Sequence, residues 1–192
     1  MAMRISPTPT TLPERSMWTF ADVEALPDDG NRYEILHGEL LVTQLPSPGH
    51  QGIAMTLSAR LWQWCGKHTG WEVHAPGGMY VSETNWLEPD ICVYAIPRHT
   101  DGPWQEMPAP LLVVEVLSRS TTKRDRHRKR PAYLANGVGE VWLIDRRMRT
   151  IERWTAASEF PEVFQGSISW TPDVLLPPFL VTEMELFGPK AT

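Results

Sequence analysis

The stretch LLVVEVL, residues 111–117, is an apolar run of the length of a buried strand, with one carboxylate set into it. An ionised Glu115 in such a strand would be desolvated at a cost of several kcal/mol unless a cation, hydrogen bonds or a channel of water compensates it. Alternation along the strand places Val113 and Leu117 on the same face as Glu115. A solvent-facing glutamate on an edge strand is the alternative, but the apolar face argues against it. We therefore expect Glu115 to have a partner inside the fold.

A second acid stands at the start of another apolar strand. Asp90 follows Pro89 and precedes ICVY, residues 91–94. Two oxygen donors on neighbouring strands suit a hard divalent ion such as Mg²⁺, which needs few protein carboxylates and keeps several waters. Taken alone, Asp90 after a proline is more typical of a strand cap. Together with Glu115 it becomes a candidate metal ligand.

The flanking segments alternate between strand and helix patterns. Four of them are clear: a short capped helix at about 19–26, a hairpin at about 32–44, a long helix at 50–68 and a strongly basic helix at 122–135. The loop from Pro97 to Pro110 contains four prolines and is predicted to have no regular structure. Strands that lead into helices and then into meanders predict a mixed sheet in an α/β or α+β domain.

Length and composition bound the organisation of the chain. Its 192 residues, with 42% hydrophobic and 21% charged residues, predict one globular domain over 17–192 after a flexible, proline-containing tail at 1–16. Cys65 and Cys92 lie in apolar settings without CxxC spacing, which argues against a zinc ribbon or a disulfide framework. The sequence shows no signal-peptide pattern and no long apolar run, so we expect a cytoplasmic protein.

A net charge of −5 argues against a general nucleic-acid coat protein. It does not exclude an enzyme that meets DNA with one local basic surface. The dense cations of the basic helix are the candidates for contacts with the DNA backbone: Lys123, Arg124, Arg126, Arg128 and Arg130. A solvated helix surface is the alternative for them. Arg146, Arg147 and Arg149 form a second, shorter cluster at a hairpin tip, which an exposed turn explains equally well.

Five stretches, in this order and spacing, resemble the Uma-type family of restriction endonuclease-like proteins in the PD-(D/E)XK nuclease superfamily. The resemblance covers about residues 18 to 187. The stretches that carry it are NRYEILHGEL (31–40), SPGHQ (47–51), EPDI (88–91), VEVLS with Ser120-Thr121 (114–121), and the segment from Tyr133 to EVWLID (140–145). The resemblance implies a restriction-endonuclease-like core, a mixed sheet flanked by helices. It also implies cleavage of DNA phosphodiester bonds with Mg²⁺ or Mn²⁺.

The superfamily motif has a lysine two residues after the acid, and this sequence has Leu117 there. The resemblance implies that the lysine is displaced onto the next helix, where Lys129 is the candidate. Asp125, Lys129 and Tyr133 recur every four residues and so share one helical face. The catalytic set is thus Asp90, Glu115 and Lys129, with the two acids as metal ligands.

Other residues are auxiliary candidates. They are Glu34, His50, Gln51, Asp125 and Tyr133. For Glu34 a solvent-facing strand position, and for His50 a surface or capping role, are at least as plausible. Trp104, in the proline-rich loop, is expected either to stack on a base or to form a subunit contact.

We expect a metal-dependent DNA endonuclease, which would act as a homodimer if it cuts both strands. The alternative is a non-catalytic DNA-binding or protein-interaction module that keeps the nuclease fold, because the strand lysine is missing.

Overall fold

Strands and helices alternate along residues 12–189, the range that the computed structural model describes apart from positions 69, 98 and 100. Most of the expected tail, residues 1–11, lies outside the described residues. The strands are β1 (Arg32–Leu36), β2 (Glu39–Thr43), β3 (Glu72–His74), β4 (Met79–Ser82), β5 (Asn85–Leu87), β6 (Ile91–Tyr94), β7 (Leu112–Val116), β8 (Glu140–Asp145), β9 (Thr150–Trp154), β10 (Glu162–Phe164), β11 (Ser167–Trp170) and β12 (Phe179–Thr182). The helices are α1 (Phe20–Glu24), α2 (Pro48–Cys65), α3 (Thr122–Arg124), α4 (Arg130–Ala135) and α5 (Glu183–Phe187).

The largest sheet is mixed, as expected, and has the strand order β10-β9-β8-β7-β6-β3. Strand β7 runs parallel to β8 and antiparallel to β6, so it is a central strand. A parallel pair needs a crossover connection. The segment from α3 to α4 provides it, and this places the basic helix close to the strand that carries Glu115.

Each face of this sheet is covered by other elements. On one face, Val114, Val116 and Trp142 pack with residues of α2, the β11–β12 hairpin and α5. On the other face, Val113 and Leu117 pack with residues of β1, β2, β4, β5 and α4. Glu115 lies between Val113 and Leu117 in the alternation of β7, so its side chain points to the second face.

The second sheet has four strands in the order β2-β1-β5-β4 and begins with the predicted hairpin. Its two-residue turn has positive φ angles, 55° at His37 and 76° at Gly38. A turn of this kind matches the right-handed twist of the paired strands. The predicted N-terminal helix is confirmed with its capping box, in which Thr19 and Asp22 bond each other's backbone N–H groups.

The basic helix, residues 122–135, is continuous but not uniform. Between α3 and α4 it contains a π-helical turn over Asp125–Lys129. Asp125, Lys129 and Tyr133 are all buried, so the predicted shared face turns toward the protein interior.

One sequence-based expectation differs from the structure. The proline-rich loop contains a short 3₁₀ turn, Trp104–Glu106, because Trp104 packs against Trp86 and His74 and orders the chain there. Strands β3 and β4 follow each other in the chain but lie in different sheets, because β3 pairs with β6 and β4 with β5. Closeness in sequence does not determine which edge strand a segment joins.

Candidate active site

A cleft of about 580 Å³ opens where the end of β7 meets the β1–β2 hairpin, the start of α2 and the basic helix. This volume is in the range of small-molecule and substrate sites. Four carboxylates line it: Glu34, Asp90, Glu115 and Asp125. Each is at most 5% exposed, so the cleft concentrates acidic groups that the fold must compensate.

Glu115 is compensated from the basic helix. Its Oε1 atom lies 2.5 Å from Nζ of Lys129 and accepts a hydrogen bond of 2.6 Å from the Tyr133 hydroxyl. Burial raises the pKa of the Glu115 carboxyl, and the nearby Lys129 ammonium opposes this shift. Oε2 of Glu115 has no partner within the described residues. Half of this carboxylate is therefore available for a ligand.

Lys129 connects two carboxylates from different sheets. Besides Glu115, its Nζ atom lies 2.7 Å from Oε1 of Glu34, and the side chain is only 2% exposed. Burial alone would disfavour the charged amine, but Glu115, Glu34 and Asp125 outweigh it and raise the pKa of Lys129. Lys129 is therefore a permanent cation at neutral pH.

Asp90 is held on both of its oxygens. Oδ1 accepts a hydrogen bond of 3.0 Å from Nη1 of Arg32. Oδ2 lies 2.9 Å from Nε2 of His50 and accepts a hydrogen bond of 2.8 Å from the Val116 N–H. Burial would raise the pKa of Asp90, but His50 and Arg32 dominate and lower it. Asp90 is thus kept ionised beside the strand that carries Glu115.

The register of the sheet explains why the two predicted ligands meet. Ile91 of β6 stands opposite Val114 of β7 in an antiparallel pair. One step further along, Asp90 therefore stands opposite Glu115, with both side chains on the same face. Both residues line the same cleft, and their role as joint ligands of one ion stays a prediction.

The auxiliary candidates take different places. Glu34 is buried, accepts a hydrogen bond of 2.8 Å from the Glu88 N–H and pairs with Lys129. Asp125 lines the cleft, and burial raises its pKa against the effect of Lys129. Gln51 is exposed and lines a neighbouring cleft instead. Tyr133 contacts Glu115 and His50 contacts Asp90, as described above.

The donor set of the cleft fits a Mg²⁺ or Mn²⁺ ion. Carboxylate oxygens are the ligands these ions prefer, and Mg²⁺ binds through one or two carboxylates while keeping waters. Over residues 12–189, with the three gaps given above, no group of three or more His, Cys, Asp or Glu side chains is placed so that it could hold a metal ion. An ion here would rest on Asp90 and Glu115 and take its remaining ligands from solvent or substrate.

Most cations of the basic helix already have partners in the protein. Arg124 donates to Thr43, Arg126 to Glu152 and Arg128 to Glu39. Arg130 stacks on the ring of Trp154. Among the Lys and Arg side chains of the basic helix, all of which are described, only Lys123 is both exposed and unpaired. These contacts do not favour the four arginines as phosphate ligands.

Arg32 is a site residue that the sequence reasoning did not single out. It stands two positions before Glu34 in β1, and the period of two in a strand puts both on one face. That alternation was the available signal, but Arg32 has no partner nearby in sequence, because Asp90 lies 58 positions away. Trp104, proposed for base stacking, packs against other aromatic rings of the fold.

Comparison with known proteins finds a matching family model and similar solved structures. The crystal structure described as "a putative nuclease belonging to DUF820 from Anabaena variabilis ATCC 29413" superposes with a TM-score of 0.69 at 19% sequence identity. The match covers 88% of this chain and 97% of the other, and at this identity it shows a shared fold. No curated protein matches the chain.

None of the helices in the described ranges is long and apolar enough to cross a membrane. The family model with the description "Putative restriction endonuclease" matches residues 20–183, which include the whole cleft. The chain therefore belongs to the Uma2 family.

Proposed function

We propose that this protein is a divalent-metal-dependent endonuclease that hydrolyses phosphodiester bonds of DNA, on a restriction-endonuclease-like core. The observation that carries the proposal is the 2.5 Å contact between Nζ of Lys129 and Oε1 of Glu115. It supplies, from a helix, the cation that the strand lacks at Leu117. Family membership and the convergence of Asp90 with Glu115 support the same function.

Lys129 contributes a fixed charge and does not act as a base. An ammonium group has three N–H donors, and Glu34 and Glu115 accept two of them. The remaining donor is available to an attacking water or to a phosphate oxygen. Because the pKa of Lys129 is raised, the amine keeps its proton at neutral pH and works by orientation and electrostatic stabilisation.

The residues around Lys129 hold the reacting groups in place. Tyr133 and Lys129 both donate to Oε1 of Glu115, which directs Oε2 of that carboxylate to the cleft. Arg32, His50 and the Val116 N–H fix the Asp90 carboxylate. A bound Mg²⁺ or Mn²⁺ ion, held by Asp90 and Glu115, would lower the pKa of a water and stabilise charge on the phosphate.

The experiment is nicking of supercoiled plasmid in Mg²⁺ or Mn²⁺, comparing the wild type with Asp90→Ala. We expect nicked and linear products from the wild type, none in EDTA, and a loss of at least about 100-fold in rate for the variant. Gln63→Ala is the matched control, because Gln63 is an exposed residue of α2 and lines neither the site nor the cleft beside it. Equal rates for the wild type and Asp90→Ala would contradict the proposal.

One observation favours a second candidate, a module that keeps the fold without hydrolysis. Both oxygens of Asp90 and one oxygen of Glu115 already bond to protein groups. A cluster that is satisfied in this way can serve structure alone. In that case DNA binding would persist while the plasmid stayed supercoiled with either metal ion.

A further inference from the structure

A second cleft, of about 770 Å³, continues from the candidate active site along the start of the basic helix to the β8–β9 turn. The two clefts share part of their lining: Ser47, His50, Val116 and Ser118. A chain-like ligand can therefore run from one to the other. We name the second cleft the basic groove, after the four exposed cations among the five that line it: Arg119, Lys123, Arg146 and Arg147.

All four of these side chains are exposed. None of them forms an ion pair, a hydrogen bond or a cation–π contact within the described part of the chain. Elsewhere in that part, every Lys and Arg side chain except Lys67 forms an ion pair, a hydrogen bond or a cation–π contact. Unpaired cations are thus concentrated in one place instead of spread over the surface. In a chain with a net charge of −5, this is the local basic surface that the composition left open.

The single carboxylate of the groove does not neutralise these cations. Oδ1 of Asp145 accepts hydrogen bonds from the backbone N–H groups of Arg147 and Met148. Its Oδ2 atom lies 3.4 Å from Nη2 of Arg126, which also binds Glu152. Asp145 is therefore used by the turn and by Arg126, and the positive charge of the groove is left for a ligand.

Arg146 adds its positive charge to the groove beside the first turn of α2. Its guanidinium packs against Gly49 in the first turn of α2, so closely that a β-carbon at Gly49 would overlap it. The N-terminus of a helix carries partial positive charge, and a cation placed there is unfavourable without an anion. The arrangement of Arg146 over α2 is stabilised when a negatively charged ligand lies in the groove.

We infer that the basic groove holds the phosphate backbone of the DNA on one side of the cleavage site; this inference rests on the proposed function. A phosphate chain is the ligand that matches a row of separate cations continuous with a site for phosphodiesters. The cations that meet DNA are then Lys123 of the basic helix together with Arg119, Arg146 and Arg147, in place of the helix arginines that bind Glu39, Glu152, Thr43 and Trp154.

The experiment measures binding apart from cleavage, by fluorescence anisotropy of a labelled 20-base-pair DNA duplex in EDTA at several salt concentrations. The test variant carries glutamine at all four groove cations. Lys123→Gln and Lys67→Gln form a matched pair, because both lysines are exposed and unpaired and only Lys123 lines the groove. Inorganic phosphate as a competitor distinguishes a single-anion site from a site for a polyanion.

For the fourfold variant we expect a loss of affinity of at least tenfold, with a slope of log affinity against log salt reduced by about 3 to 4. Lys123→Gln should lower the slope by about 0.9 and Lys67→Gln should leave it unchanged. Millimolar inorganic phosphate should compete poorly. Unchanged affinity and slope in the fourfold variant, or equal effects of the two lysine variants, would overturn the inference.

Its failure and the failure of the proposed function give different results. If DNA binding depends on the groove cations but no plasmid is nicked, the inference is supported and the proposed nuclease function is contradicted. If the protein nicks plasmid but the groove substitutions do not change its DNA binding, the nuclease function is supported and the inference is contradicted. Absence of salt-dependent DNA binding in the wild type removes the inference whatever the plasmid assay shows.

Discussion

The candidate active site and the basic groove adjoin each other, yet they treat charge in opposite ways. In the site, buried acids and cations are matched within the protein, and Lys129 alone contacts two carboxylates. In the groove, four exposed cations have no partner in the described residues. A charge bonded inside the fold is committed to structure and positioning, whereas a charge without a partner is left for an external ligand.

The strongest test of this contrast is Lys129→Met. Removing the cation leaves Glu34 and Glu115 buried without compensation, so the free energy of unfolding should fall by about 3–5 kcal/mol. Plasmid nicking should fall at least about 100-fold. Urea unfolding and the nicking assay measure the two effects on the same preparation.

A second variant separates structure from chemistry. Glu34→Gln combined with Lys129→Met removes one buried charge of each sign, so most of the lost stability should return while nicking stays absent. Full nicking by Lys129→Met, or nicking that returns together with stability in the double variant, would make Lys129 a structural residue only.

Tyr133→Phe tests the site with a smaller change. It deletes the hydroxyl that donates to Oε1 of Glu115 and leaves the ring in place. A hydrogen bond to a buried charged group contributes about 1.5–3 kcal/mol, so the free energy of unfolding should fall by about that amount. Thermal and urea unfolding check this, and a variant as stable as the wild type would show that the carboxylate does not depend on the hydroxyl.

Two arginines at the boundary between the two regions allow paired and unpaired charges to be compared directly. Arg126 forms ion pairs, and Arg147 forms none with its side chain among the described residues. Arg126→Gln loses contacts with Glu152 and Asp145 and should cost about 1 kcal/mol of stability. Arg147→Gln should change stability by less than about 0.5 kcal/mol but should weaken DNA binding. If both variants changed stability and DNA binding to the same extent, the distinction between paired and unpaired arginines would be wrong.

The smallest expected effect comes from Gly49→Ala. The added methyl group overlaps the Arg146 guanidinium and should move it aside, because the end of an arginine side chain is flexible. DNA affinity should fall by less than about threefold, with stability within about 0.5 kcal/mol of the wild type. In an Arg146→Gln background the substitution should have no further effect on affinity, and a remaining effect would mean that Gly49 acts by another route.

The sequence predicts much of the frame and the positions of the main acids. The alternation around Glu115 gives the correct face of β7, and the hairpin and capping signals are confirmed because they depend on neighbouring residues. Resemblance to a family gave Asp90, Glu115 and Lys129 as a set. The structure brings these three residues into one cleft, although their roles stay a prediction.

The sequence could not predict which side chains pair when their residues lie far apart in the chain. Arg128 meets Glu39 across 89 positions and Arg126 meets Glu152 across 26, so the composition of the helix could not show that its arginines are already bound. For the same reason the sequence did not indicate the role of Arg32 in the site. It also did not indicate the groove, which joins the start of the basic helix to the β8–β9 turn. A count of cations indicates where charge is dense, but only tertiary contacts show which charge is unpaired.

The π-helical turn over Asp125–Lys129 has a consequence for how this fold can change over generations. Each residue gained or lost in a helix turns everything beyond it by about 100°. A single in-frame codon deletion in this turn would therefore swing Lys129 away from Glu115, while Asp90 and Glu115 kept their places in the sheet. A lysine carried on the strand itself would have no such freedom. On the proposed function, one such deletion would remove cleavage and leave DNA binding, and an equally small insertion would restore cleavage.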